Sequence, residues 1–266
     1  MVSFLTLDQI RSKAPSVFAT EHDGLRSDRY TFVSSEKIIE GFDDLGWGVV
    51  DAGQPHSRKS NPAHNKHLVR FRPRDESMAF LDPRGGKEVF PEIISYNSSN
   101  GTSRWKLMSG AFSMVCSNGM TIRVPGFEHV GEDMSRKHIG FDPQIAYNAV
   151  QNMSDSFGGF FNTVAEMTQH DLDDDQRLDM SLKAREIRFD GNDSIDPNIL
   201  LTLRRGEDSG RDIWTTFNVL QENCVRGGIK LAKRTSRDLT NIDALDRVNT
   251  QLWDVAEETL ALVSTS

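Results

Sequence analysis

Up to about residue 124 the apolar positions recur mainly every second residue, and after about residue 140 every three to four. The first pattern predicts strands and the second helices. Leu5–Ala14 fits a short helix stopped by Pro15, and Tyr30–Val33 alternates like a strand. Ser34-Ser35-Glu36 supplies an N-cap and a first-turn acid for a helix over Glu36–Leu45, with Ile38, Ile39, Phe42 and Leu45 on one face and Gly46 to end it. Trp47–Val50 reads as a strand, 51–65 as a loop, and His67–Arg72 as a half-exposed strand alternating apolar and basic. Glu88–Val124 is the centre of the pattern. It reads as two or three long strands around two turns, Asn97–Gly101 and Cys116–Gly119, each ending in Asn-Gly, which tolerates the positive φ a hairpin needs.

Asp142-Pro143 then opens a helix, with an apolar stripe through Ile145, Ala149, Met153, Phe157, Phe160, Phe161, Val164 and Met167. Gly158-Gly159 is expected to bend or break it. Helices follow over Asp173–Ile187, from Asp196-Pro197, along Ile213, Trp214, Phe217, Leu220 and Cys224, and from Thr240 to the end. The expected class is α+β: an antiparallel, sheet-rich N-terminal half with one early helix, and a helical C-terminal half. The divisions are a sheet-rich region 1–130 and a helical region 141–266, joined at 126–141, or one compact domain.

The 266 residues suffice for a sizeable core. No apolar run approaches the roughly 18 residues of a membrane helix, and no basic-then-apolar leader opens the chain. The expected location is the cytoplasm. Cys116 and Cys224 lack metal-type spacing and are expected as reduced, mostly buried thiols. The net charge of −8 argues against coating nucleic acid over the whole surface, yet leaves room for a local basic groove.

The basic residues gather in two acid-poor stretches. The first, 56–74, holds Arg58, Lys59, Lys66, Arg70, Arg72 and Arg74. A loop and strand so charged could track a phosphate backbone, or could be an edge strand using charge against aggregation. The second lies between two helices and holds Arg226, Lys230, Lys233, Arg234 and Arg237 behind Gly227-Gly228. It reads either as an anion-binding loop or as cations favoured at a helix C-terminus. A lesser group is Arg204, Arg205 and Arg211. Arg104 and Lys106 flank Trp105, which is either a base-stacking ring or, as strand alternation favours, a core residue.

The chain has no phosphate loop, nucleophile elbow or dinucleotide fingerprint. His129, His138 and His170 with Glu128, Glu132, Asp133 and Asp142 match no standard metal spacing, and the DLDDDQ run at 171–176 suits a helix start better than a calcium loop. No catalytic residue, metal or cofactor is therefore assigned.

The ordered segments WKLMSGAFSMVCSNGM (105–120), WTTFNVLQENCVRGG (214–228) and TNIDALDRVNTQLWDVAEE (240–258) resemble an uncharacterised phage- and plasmid-type family known only as a domain of unknown function. The likeness spans about Tyr30 to Glu258 and implies a genomic setting on mobile elements; it carries no activity. Separately, the helix Glu36–Leu45, Gly46-Trp47 and the basic strand His67–Arg72 are similar to the start of Rad52-type single-strand annealing proteins. That likeness implies ring oligomers holding single-stranded DNA in a basic groove.

The leading expectation is a non-enzymatic, phage- or plasmid-encoded protein of DNA metabolism. It would bind single-stranded DNA as a homo-oligomer and could promote annealing. Its phosphate contacts would come from Arg58, Lys59, Lys66, Arg70, Arg72, Arg74, Arg104, Lys230, Lys233, Arg234 and Arg237. The alternatives are a metal-assisted enzyme acting on nucleic acid or nucleotides, and an interaction protein directed against host defence.

Overall fold

The computed structural model describes residues 3–25, 32–55, 61–81, 88–101, 105–113, 143–204, 206–231, 235–239 and 242–265. It is α+β, as the change of period predicts. In chain order come helices α1 (Leu7–Lys13) and α2 (Ser35–Asp44), then strands β1 (Trp47–Gly53), β2 (His67–Pro73), β3 (Phe80–Leu81), β4 (Glu88–Asn97) and β5 (Lys106–Ser113). Helices α3 (Pro143–Met167), α4 (Asp174–Phe189), α5 (Ile213–Val225) and α6 (Ile242–Ser264) follow. The described residues form two compact units. One draws on Met1–Phe80, Val89–Ala111 and Arg123–Gly158, and the other on Leu81–Glu88, Phe112–Ile122 and Gly159–Ser266. The second predicted turn, Cys116–Gly119, the 126–141 connection and Tyr30-Thr31 lie outside the described residues. Phe32 and Val33 are described and form no strand.

The sheet runs β1-β2-β4-β3, with β5 also paired to β4. Both β1–β2 and β2–β4 are antiparallel. The turn between β4 and β5 falls where the Asn-Gly signal placed it. Strand alternation puts His67, Val69 and Phe71 on one face of β2, and Leu68, Arg70 and Arg72 on the other. On the first face α2 packs through Phe42, whose ring stacks on Phe71 at 4.4 Å; both are fully buried. Ser34 caps α2, its Oγ accepting from the Lys37 N–H at 3.3 Å, and Gly46 leaves the helix with φ +81°.

A polar network lies inside that face. His67 is 1% exposed. Its Nε2 lies 2.7 Å from Ser35 Oγ, and its Nδ1 lies 2.9 Å from Ser16 Oγ and 3.1 Å from the Asn65 carbonyl. Asn97 Nδ2 donates to Ser35 Oγ, and Ser16 Oγ donates to Gln54 Oε1. One arrangement satisfies every bond. The ring is neutral with its proton on Nδ1, donating to Asn65 O and Ser16 Oγ, while Nε2 accepts from the Ser35 hydroxyl. Burial pushes the His67 pKa down to about 4, consistent with that neutral form.

In the other unit, Asp173 caps α4 with a capping box completed by Gln176, so the acidic run is a helix start as predicted. Helix α5 is buried on almost every side, with only Asn218 less than fully enclosed. Phe160, Trp214, Phe217 and Trp253 form an aromatic cluster, with ring centroids 5.0 Å apart for Phe160–Trp253 and 5.6 Å for Phe217–Trp253. The break expected at Gly158-Gly159 does not occur: α3 runs through both to Met167. Both glycines are exposed, while Phe157 and Phe160 beside them are buried.

Candidate nucleic-acid interface

The two basic stretches behave differently. On β2, Arg70 and Arg72 converge on Glu92 of β4, which is wholly buried. Continuing the β2–β4 register by one pair sets Arg72 across from Glu92. Arg70 donates to Glu92 Oε2 from Nε at 2.8 Å and Nη2 at 2.7 Å. Arg72 donates to Oε1 from Nε at 2.8 Å and also from Nη2, and its guanidinium lies 4.5 Å from the Phe90 ring centre. A register shift between Val49 and Asp51 brings Asp51 opposite Arg70, with a carboxylate oxygen 4.0 Å from Arg70 Nη1. Arg74 pairs with Asp43 at 2.5 Å and lies over the Phe4 ring. The cations of the strand are thus engaged within the sheet unit. Lys66 is half-buried; Arg58, Lys59 and Arg104 lie outside the described residues. Trp105 is a core residue, 6% exposed, with Nε1 donating to Ser95 Oγ at 3.0 Å.

The second stretch forms a tight fold-back after α5. The Gly228 N–H donates to Ser236 O at 2.9 Å, the Ser236 N–H to Ile229 O at 2.8 Å, and the Leu239 N–H to Val225 O at 2.8 Å. Lys230 and Thr235 form an antiparallel bridge. Asp238 Oδ1 accepts from the Gly227 N–H at 2.9 Å. Gly227 is required by space: a Cβ there would sit 2.4 Å from Ser236 O and 2.7 Å from the Arg237 carbonyl carbon. Gly228 supplies a φ of +97°.

Two arginines fasten this loop to the end of α5. Arg188 donates from Nε to Cys224 O at 2.7 Å and from Nη2 to Arg237 O at 3.3 Å. Arg204 Nη2 donates to Arg226 O at 3.0 Å and to Gly227 O at 2.7 Å. Guanidinium groups therefore satisfy the orphan carbonyls at the negative end of the helix dipole. Arg211 of the lesser basic group pairs with Asp174 at 2.5 Å, and Arg205 lies outside the described residues.

Between the end of α4 and this loop is a cleft of about 720 Å³. Its walls include Arg188, Phe189, Asp190 and Asn192 on one side, and Ser236 and Arg237 on the other. Arg237 is exposed, and among the described residues no carboxylate pairs with its guanidinium or with the Lys230 ammonium. Lys233 and Arg234 lie outside the described residues. The structure thus sets Arg237, a residue singled out from sequence, beside four that no motif announced. The sequence signal for three of them, Phe189, Asp190 and Asn192, is Phe-Asp-Gly-Asn at a helix end, an aromatic followed by a turn.

Neither cysteine reading nor metal reading gains geometry here. Cys224 is buried, and burial pushes its thiol up to about 12, so it is protonated at neutral pH. Among the described residues no group of three or more His, Cys, Asp or Glu could hold a metal ion. Cys116, Glu128, His129, Glu132, Asp133, His138 and Asp142 lie outside them. Among the described residues, too, no helix is long and apolar enough to cross a membrane.

The family model described as domain of unknown function DUF932 matches residues 22–253. Two Escherichia coli K12 proteins, UPF0380 protein YafZ and UPF0380 protein YfjQ, are each 29% identical to the chain over 274 residues, covering 96% of it and 92% of their own length. No solved structure matches it significantly. With a match that spans residues of both structural units, the chain belongs to the DUF932 family.

Proposed function

We propose that the protein binds single-stranded DNA without covalent chemistry, through the 226–239 loop and its cleft, as a cytoplasmic homo-oligomer in the DNA metabolism of mobile elements. One observation carries the reading. Lys230 and Arg237 are exposed and, among the described residues, meet no carboxylate beside a cleft large enough for a nucleotide, while Arg70 and Arg72 of β2 are engaged by Glu92 and Asp51 and Arg74 just after it by Asp43. Ligand sites typically enclose roughly 300–1,000 Å³, and 720 Å³ falls inside that range. Unpaired cations on a loop release counterions when they meet phosphates, and this local gain does not require a positive molecule. Strand annealing is the activity such a binder would support if several copies present their loops along one strand.

The test is fluorescence anisotropy with a labelled single-stranded oligomer of 30–60 nucleotides, titrated over salt, with light scattering for mass. Binding should weaken steeply with salt. Reversing Lys230 and Arg237 to Glu should weaken it and reduce the log–log salt slope by about 1.4, two contacts at about 0.7 each. Absence of binding at low salt, or binding indifferent to salt, refutes the proposal.

A further inference from the structure

Resting on that reading, we infer that the cleft receives one unstacked base of the strand and selects guanine, with Phe189 as the stacking surface and Asp190 as the acceptor for the base's donor edge. Phe189 is half-buried at the last position of α4, and the Arg188 guanidinium lies 5.1 Å from its ring centre. An aromatic face beside a guanidinium is the combination on which single-stranded nucleic acid stacks.

Asp190 is in the wrong place for stability. It is the one described non-glycine residue with positive φ, at 52°, and it puts a carboxylate at the negative end of α4. Asn or Gly would suit that backbone without the unfavourable charge. Among the described residues the carboxylate makes no ion pair, while Asp238 across the cleft accepts from the Gly227 N–H. A left-handed, unpaired, exposed carboxylate on a cleft wall is an observed outlier of the kind that accompanies function.

The chemistry picks the base. A carboxylate is an acceptor pair, and guanine alone offers two adjacent donors, N1–H and the N2 amine. Thymine presents one N–H between two carbonyls, which a carboxylate repels. Asn192 Oδ1 is already taken, accepting from the Ser194 N–H at 3.1 Å and Oγ at 2.8 Å. Its amide N–H2 is what it has left to offer, a donor suited to guanine O6. Arg237 at the cleft and Lys230 beside it would meet the phosphate.

The experiment is isothermal titration of the full chain with deoxyguanosine and thymidine 5′-monophosphates at low salt, beside the oligomer assay above. The guanine nucleotide should bind at least about tenfold more tightly, the order of one discriminating base contact. Asp190→Asn should abolish that preference while leaving the thermal unfolding midpoint unchanged or raised. Phe189→Ala should weaken both nucleotides, and Phe189→Tyr, which restores the stacking face and guards against a folding artefact, should recover them. Equal affinities, or mononucleotides that fail to bind while the oligomer binds in a salt-dependent way, overturn this inference and leave phosphate binding standing. Failure of the oligomer itself overturns the reading beneath it.

Discussion

Replacing Glu92 with Gln tests whether the basic strand is built for stability. The side chain keeps its shape and loses its charge, and its new amide group faces one of two guanidinium groups as a donor facing a donor. Arg72 is 8% exposed and Arg70 22%, so neither cation is free in water, and Glu92 between them is 0% exposed. Breaking a buried ion pair by removing one partner costs about 3–5 kcal/mol, because the remaining charge stays desolvated. The lower part of that range fits here, since Arg70 can lean toward Asp51, already 4.0 Å away. With a urea slope near 2 kcal/mol per molar, the midpoint of the sheet unit should fall by about 1.5–2 M. The probe must belong to that unit. Trp47 and Trp105 do, while Trp214 and Trp253 report on the other, so the latter two are changed to Phe in parent and variant alike and fluorescence is followed through urea. Glu92→Leu with Arg72→Met should recover much of the loss, because apolar groups of similar size replace such pairs at little cost. A Glu92→Gln midpoint within about 0.5 M of the parent, equivalent to about 1 kcal/mol, would refute the reasoning and return Arg70 and Arg72 to the list of candidate phosphate contacts.

Two further outcomes follow from the geometry. His67 has a folded pKa of about 4 against an ordinary 6.5, so the unfolded chain takes up a proton first as the pH falls. Its contribution is therefore fully present above pH 6.5, declines between 6.5 and 4, and levels off below; at most about 3–4 kcal/mol is involved, from 1.36 kcal/mol per unit. Urea midpoints measured from pH 7.5 to 4 should fall less steeply for His67→Gln than for the parent, and parallel curves would contradict the neutral, buried ring. Gly227→Ala places a methyl group 2.4 Å from a backbone oxygen, so the loop must shift; it should destabilise the helical unit by more than about 1 kcal/mol and weaken oligomer binding at temperatures where the chain remains folded.

The architecture was legible because its signals are local. The period switch gave the class. The caps at Ser34 and Asp173 gave helix starts, and Asn97–Gly101 gave the β4–β5 turn. What the sequence hid was long-range or masked by polarity. Alternation along β2 correctly set Phe71 inside, but nothing near Arg70 or Arg72 showed that a carboxylate twenty positions on would take both. Helix α5 carries Thr215, Thr216, Gln221, Glu222 and Asn223, which a one-face reading sends to solvent; all are buried. Asn223 illustrates why that is tolerated: its Nδ2 donates to Leu200 O and Thr202 O at 2.8 and 2.9 Å, and its Oδ1 accepts from Arg204 at 2.7 Å. Leu200 lies in the short 3-10 helix Pro197–Leu201, where Asp196-Pro197 predicts a helix start, but nothing in its periodicity or in the loop after it shows that their carbonyls meet Asn223. The cleft was missed for a related reason, since its two walls are far apart in sequence and share no motif.

A count of basic residues per segment therefore does not tell which cations are free of a carboxylate. The 56–74 stretch is the richer, yet Arg70, Arg72 and Arg74 each meet a carboxylate in the same unit. A phosphate reaching Arg72 would have to displace Glu92 and leave that carboxylate buried without a partner, a penalty of the same few kcal/mol that an added phosphate contact could return. Lys230 and Arg237 impose no such exchange. Their ammonium and guanidinium groups are already hydrated and lose only mobility on binding. What decides whether a cation in an acidic chain can serve a polyanion is thus the carboxylate it would have to leave, which is fixed by tertiary pairing. On that criterion the proposal rests on the loop after α5, despite its holding fewer charges among its described residues.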